Sequence, residues 1–176
     1  NFMNFHIFTP RQMIFSDQKK MDTYLDTQKT IGTISEEFSR TLGENLNLTK
    51  VTAPIYLEDV SLSDTLDGKQ RLIEIDFKGG KKGYILHSLA KWKRYILYKY
   101  NFSAQTGILT DMMAIRRDED IDKLHSYFVD QWDWEMAIRK EDRTIDFLKK
   151  TVNKIYDAFL TVDKKLYEKH KINRKL

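Results

Sequence analysis

Cysteine is absent from the 176 residues, which excludes disulfides, thiolate metal sites and a cysteine nucleophile within the chain. That absence suits a reducing compartment, and the cytoplasm is the expected location. Proline occurs twice and glycine seven times. No glycine-rich phosphate loop, GxSxG elbow or HExxH helix is among them. The four histidines, at 6, 87, 125 and 170, show no metal-ligand spacing, so no metal site is expected and His87 and His125 read as hydrogen-bonded structural residues. There is also no run of about 18 apolar residues, hence no expected membrane span. Residues 1–14 hold Phe2, Phe5, Ile7, Phe8 and Ile14 but no continuous apolar stretch, so a signal peptide is not expected. Met3 reads as a candidate start, with Asn1 and Phe2 added before it. An excess of one charge sign is lacking too: 30 basic residues stand against 26 acidic ones, net +4, and the two kinds interleave. A nucleic-acid partner is therefore not expected. The densest basic stretch, Lys164 to Lys175, reads as a solvated helix end.

What remains is a length suited to one domain with a real core. Ile31, Ile34, Phe38 and Leu42 recur at steps of three and four, predicting a helix from about Tyr24 to Glu44, with Asn45 and Asn47 suited to its end. Leu48–Leu57 reads as a strand containing Pro54, which needs an edge or a terminus because proline lacks a ladder donor. Residues 58–68, rich in acids and serine, read as a loop. Arg71–Phe77 and Gly83–His87 form an expected hairpin across Lys78-Gly79-Gly80-Lys81. A helix over Leu89–Tyr100 follows, then strands over Ile108–Arg116 and Leu124–Trp134 joined by Arg117–Lys123. Glu141–Lys169 reads as a long helix with a seam of Leu148, Val152, Ile155, Phe159, Val162 and Leu166, which needs a packing partner in this chain or another. The expected fold class is α+β, an antiparallel sheet flanked by helices.

Side chains alternate across a strand, so His125, Tyr127, Val129, Gln131 and Asp133 should share one face of the second strand. Ser126, Phe128, Asp130, Trp132 and Trp134 should share the other. An amide and a carboxylate two apart are costly to bury without partners. They suit either a sheet face open to water or, given the aromatic density, the floor of a pocket. The run Arg116-Arg117-Asp118-Glu119-Asp120 is either a solvated turn or a site with a guanidinium fork for phosphate or carboxylate, and acids for an amino edge or magnesium. His87-Ser-Leu-Ala-Lys-Trp-Lys-Arg94 lies where strand gives way to helix, a place that attracts anions, with Lys93 near enough to reach back along the helix.

These segments carry a resemblance. HSLAKWKR (87–94), FSAQTGILTDMMAIRRDEDIDKLHSYFVDQWDWE (102–135) and NLTKVTAPI (47–55) resemble the ammonia-dependent asparagine synthetases, the aspartate–ammonia ligase family. The likeness runs from about Met21 to the end and is tightest over His87–Glu135. It implies a catalytic core like that of the class II aminoacyl-tRNA synthetases. Residues 1–20 would be an N-terminal extension, and 21–176 the N-terminal part of one such catalytic domain. The helix at 24–44 with the strand ending at Pro54 is similar to motif 1, implying a homodimer. Arg116 through Glu135 is similar to motif 2, which holds ATP and the amino acid. No segment is similar to motif 3, since the glycines at 32, 43, 68, 79, 80, 83 and 107 fall elsewhere. These residues by themselves are therefore expected to bind ATP weakly.

The implied reaction joins ATP and the aspartate side-chain carboxylate to give β-aspartyl-AMP and pyrophosphate; ammonia then displaces AMP to give asparagine. Such chemistry asks for positioning and charge stabilisation rather than a side-chain nucleophile. The resemblance implies that Arg116 serves the reacting phosphate and carboxylate, and that Ser88 and Lys93 hold the substrate's α-carboxylate. Gln131 and Asp133 would receive its ammonium, Glu119 and Glu135 would assist at ATP with Mg2+, and Asp64 would lie on a loop closing over the site. Glutamine-dependent enzymes of this activity use an N-terminal cysteine, so the absence of cysteine implies free ammonia as nitrogen donor. The same residues also fit a truncated, catalytically inactive dimerisation or amino-acid-binding module that keeps motifs 1 and 2.

Overall fold

Three apolar side chains at four-residue steps, Phe38, Leu42 and Leu46, lie almost wholly inside the molecule and fix the face that the first helix buries. A computed structural model describes residues 18–64 and 68–170. Its first helix, α1 (Gln18–Leu46), ends where Asn47 adopts φ 56, the left-handed conformation that terminates helices and that asparagine tolerates. The strands β1 (Leu48–Lys50), β2 (Tyr56–Leu57), β3 (Ile73–Phe77) and β4 (Lys81–Ile85) follow, then α2 (Ala90–Lys99), β5 (Gly107–Ile115), β6 (Phe128–Met136) and α3 (Ile145–His170). Among the described residues no helix is long and apolar enough to cross a membrane.

The α+β class stands, but the strands form two sheets rather than one antiparallel sheet. One has the order β1-β5-β6, with β1 parallel to β5 and β5 antiparallel to β6. The other, β2-β4-β3, is antiparallel throughout. The single strand expected over Leu48–Leu57 is split around Pro54. With no N–H to give, that residue lies in irregular chain passing between the sheets. The expected hairpin forms, with Gly79 at φ 88 and Gly80 at φ 77 in its turn, but its second strand runs over Lys81–Ile85 rather than Gly83–His87, leaving His87 beyond the strand.

Two apolar clusters occupy the two faces of β5–β6. On one face Leu109, Trp132 and Trp134 pack with Phe38, Leu42 and Leu46 of α1 and with Ile155, Ala158, Val162 and Leu166 of α3. The Phe38 ring centroid lies 4.5 Å from that of Trp132 and 4.9 Å from that of Phe159. The partner required by α3 is thus α1 of the same chain. Its contact stripe passes through Ala158, however, and leaves Leu148, Val152 and Phe159 half exposed. Steps of exactly three and four drift around a 3.6-residue helix, so not every seam position can face α1. On the other face Met112 and Ala114 pack with Leu86 and Leu89, the corner leading into α2.

Gly107 sits between Leu48 of β1 and Met136 of β6. A Cβ there would strike the Glu135 carbonyl and lie 2.8 Å from Met136 Cα. Because backbone cannot yield as a side-chain tip does, Gly107→Ala should cost roughly 3 kcal/mol, the upper end of overpacking costs. Gly32→Ala, on α1 with nothing within 4 Å of the added methyl, should instead stabilise by about 0.5–1 kcal/mol. Denaturant melts of the two variants check this pair, and a Gly107→Ala midpoint matching the parent's would contradict it.

Candidate functional site

The β5–β6 register decides which polar groups meet. It opposes Ile108 to Glu135, Thr110 to Asp133, Met112 to Gln131 and Ala114 to Val129, so these residues share the face that looks toward α2. The alternation expected for Gln131, Asp133 and Glu135 therefore holds, and none of the three is fully exposed. The tryptophans do not join them: Trp132 and Trp134 point the other way, into the α1–α3 core. Their density thus reflects the hydrophobic layer on the opposite face of the sheet rather than the surroundings of Gln131 and Asp133. β6 also begins four residues later than expected. Leu124 is 90% exposed, and His125 and Tyr127 precede the strand instead of sharing its face.

At one end of this face Lys93 is 3% exposed, unusual for a residue that almost never hides unless paired. It does not reach back to the start of α2. Instead its ammonium bonds to the Asp133 carboxylate, donates to the Trp134 carbonyl at 3.0 Å, and lies 3.9 Å from Glu135 Oε2. Arg94 Nε reaches Glu135 Oε1 at 3.6 Å. Thr110, wholly buried, donates its hydroxyl to the Asp133 carbonyl at 3.1 Å and fixes that stretch of β6 from beneath. Neither Thr110 nor Arg94 stands out in the sequence, although strand alternation on β5 places Thr110 on the polar face. Ser88 sits just ahead of α2, its Oγ accepting the Ala90 N–H at 3.2 Å. Asp64 lies beyond it, its carboxylate 3.9 Å from Lys91, which also donates to the Ser63 carbonyl at 3.3 Å. The loop expected over 58–68 contains a short 3-10 turn, Val60–Leu62, capped by Asp59; positions 65–67 lie outside the described residues.

Arg116 stands beyond the far end of the same face, one residue past β5 and six from Thr110, which is about 20 Å of extended chain. It makes no direct contact with the Lys93–Asp133 pair among the described residues. Its Nη1 lies 3.7 Å from Glu119 Oε2, and both side chains are 22% exposed. A cleft beside them is lined by Arg116, Glu119, His125, Ser126 and Asp130. The connecting loop is anchored at two points. Arg71 donates to Asp118 from its backbone at 2.8 Å and from its guanidinium, while Arg117 donates to the Leu72 carbonyl at 3.0 Å. Asp122 Oδ1 accepts the backbone N–H groups of Leu124 and His125, each at 2.7 Å, and lies 2.9 Å from His125 Nδ1. Hydrogen bonding to Arg71 holds Asp118 at about 2, and the Leu124 N–H with the His125 contacts holds Asp122 there too. Both anchors thus stay ionised throughout the neutral range. Asp122 in turn raises His125.

His87 departs from expectation. It is wholly buried, and neither ring nitrogen has a hydrogen-bond partner. Burial lowers its pKa; Asp118 opposes that, while Arg116 and Arg117 reinforce it. The Arg71 backbone is near enough to favour protonation, but no contact meets hydrogen-bond geometry. Since the folded state disfavours the charged ring, His87 contributes most above the ordinary histidine range, and that contribution falls as pH drops through 6.5.

Fold and site define an α+β core whose β5–β6 pair packs an apolar cluster on each face and carries a buried lysine–aspartate pair at one end of the face toward α2. The family model described as AsnA, aspartate-ammonia ligase, matches residues 25–176, and the chain belongs to that family. Proteins named aspartate–ammonia ligase are similar to it. One from Fusobacterium nucleatum is 45% identical over 154 residues, covering 86% of this chain and 47% of the relative. Another from Ureaplasma urealyticum serovar 10 is 51% identical over 138 residues, 77% of this chain and 42% of the relative. A third, from Clostridium tetani, is 48% identical over 147 residues, 80% and 43% respectively. The chain thus spans somewhat less than half the length of these curated relatives.

Proposed function

We propose that the protein makes L-asparagine from L-aspartate, ATP and ammonia through β-aspartyl-AMP, releasing AMP and pyrophosphate. The observation that carries this reading is the Lys93–Asp133 pair on the polar face of β6. A buried cation beside a carboxylate is what a zwitterionic amino acid needs. Its α-carboxylate would take the place Asp133 now holds at Lys93, and its α-ammonium would take the place of Lys93 at Asp133. The exchange replaces one charge pair by two, so neither buried charge is left stranded.

Gln131, two residues along the same face, supplies an amide for the ammonium and the reacting carboxylate. Ser88 adds a hydroxyl at the carboxylate end. Arg116 stands beyond the other end of this polar face from Asp133, about 20 Å of extended chain away. There it provides a fixed charge with fork geometry for the oxygens that gain negative charge during adenylation. Glu119 and Glu135 flank the two ends and are assigned to ATP. Mg2+ would enter with ATP, held mostly by phosphate oxygens with one or two carboxylates. Asp64, tied loosely to Lys91, is assigned to the loop that covers the substrate and keeps water from the adenylate.

The same reading assigns α1 with β1 to class II motif 1 and β5–loop–β6 to motif 2. The exposed Tyr24, Leu25 and Ile31 of α1 supply apolar surface for a homodimer.

The direct test incubates the intact native protein with L-aspartate, ATP, Mg2+ and 15N-ammonium. Label should appear in the asparagine side-chain amide, with AMP and pyrophosphate formed in equal amounts, and unlabelled glutamine should not compete. Formation of ADP and phosphate, or the lack of any aspartate-dependent product, would overturn the proposal.

A further inference from the structure

Among the described residues four buried side-chain atoms lack a hydrogen-bond partner: Ser63 Oγ, both ring nitrogens of His87, and Arg116 Nε. Buried polar atoms are rarely left so, and each calls for an explanation. Two of these groups are chemically complementary, because a guanidinium Nε–H can only donate while a neutral imidazole always offers one accepting nitrogen.

The fold brings them to one place from two directions. Extending the β3–β4 register beyond Ile73 and Ile85 sets His87 opposite Arg71, whose backbone and guanidinium both hold Asp118, two residues beyond Arg116. From the other side Leu86 and Leu89, which bracket His87, pack on Met112 and Ala114, and Arg116, one residue past the end of β5, continues that alternation with its N–H still donating to the Tyr127 carbonyl at 2.7 Å. The charged groups facing the ring from these elements are Arg71, Arg116, Arg117 and Asp118.

We propose that His87 is the positioning residue of Arg116, its ring nitrogen accepting the Arg116 Nε–H when the guanidinium turns from Glu119 toward substrate. Glu119 holds only the Nη1 end, and loosely, at 3.7 Å. Presenting the end-on fork of the two Nη groups to two oxyanions leaves Nε–H, on the far edge of the guanidinium, free to be anchored from behind. A histidine kept uncharged by its surroundings can accept there without adding a second positive charge beside Arg116. This inference rests on the ligase reading for what Arg116 does, though the contact itself can be seen without turnover.

The test uses 15N-labelled intact protein with L-aspartate and α,β-methylene-ATP, which cannot be split to AMP. A scalar coupling across the hydrogen bond between Arg116 Nε–H and a His87 ring nitrogen is expected in the unsubstituted protein, and its absence overturns the proposal. In turnover, His87→Phe keeps the ring shape but not the acceptor. It should lower kcat roughly 10-fold or more, as misplacing a catalytic group does, with the aspartate KM little changed. His87→Asn restores an acceptor and should recover much of the rate. Full kcat in His87→Phe contradicts the assignment. Should that variant fail to fold, the coupling decides alone. A native protein that shows the coupling but makes no asparagine sinks the ligase reading and leaves the His87–Arg116 contact standing.

Discussion

Replacing Lys93 with methionine should lower aspartate-dependent turnover by at least about 100-fold and cost the fold about 3 kcal/mol, the scale for breaking a buried charge pair from one side. Both effects share one cause. Lys93 is enclosed by β6, and its ammonium is the partner of Asp133, whose side chain is only 18% exposed. Methionine matches the length of the stem but strands the carboxylate. Adding Asp133→Leu to Lys93→Met removes the stranded charge and should return most of the lost stability, because a buried pair replaced by apolar groups is often neutral. It should return none of the activity. Denaturant melts and aspartate kinetics on the two variants separate the structural role of the pair from its role toward substrate. A double variant that regained turnover would remove the pair from the site.

Arg116→Ala should abolish measurable pyrophosphate release, a loss of about 10²–10³ or more in rate, as when a preorganised donor to developing charge is deleted. Stability should shift little, since among the described residues the one ion pair lost is the loose one to Glu119. Arg116→Lys should not rescue it, because an ammonium cannot present two parallel N–H groups to two oxygens. Ordinary pyrophosphate release by the alanine variant would take Arg116 out of the reaction.

Much of this was legible in the residues because simple periodicities survived folding. The β3–β4 hairpin was written in Gly79 and Gly80, which alone relieve the positive φ of its turn. The grouping of Gln131, Asp133 and Glu135 followed from a period of two, and pairing with β5 preserved it. What escaped was set by partners distant in sequence. The parallel pairing of β1 with β5 joins segments more than fifty residues apart, and nothing local announces it. The outward turn of Leu148 and Val152 depends on where α1 lies against α3. The delayed start of β6 reflects Asp122, whose carboxylate captures the N–H groups of Leu124 and His125 before they can enter a ladder. For Lys93, helix position suggested a reach along α2. Only the packing of α2 across β6 shows that the amine meets Asp133 instead. His87 looked like an ordinary satisfied histidine, and its burial without a partner arises from three segments meeting at one corner.

Amide chemical shifts of the labelled protein, followed during separate titrations with L-aspartate and with succinate, go to the heart of the matter. Succinate has both carboxylates of aspartate but no ammonium. If Lys93 and Asp133 are prised apart by a zwitterion, L-aspartate should shift the signals of Asp133, Trp134 and Thr110, and succinate should leave them nearly still. Equal shifts with both compounds, or aspartate-induced shifts confined to residues away from β6, would show that this charge pair belongs to the architecture alone.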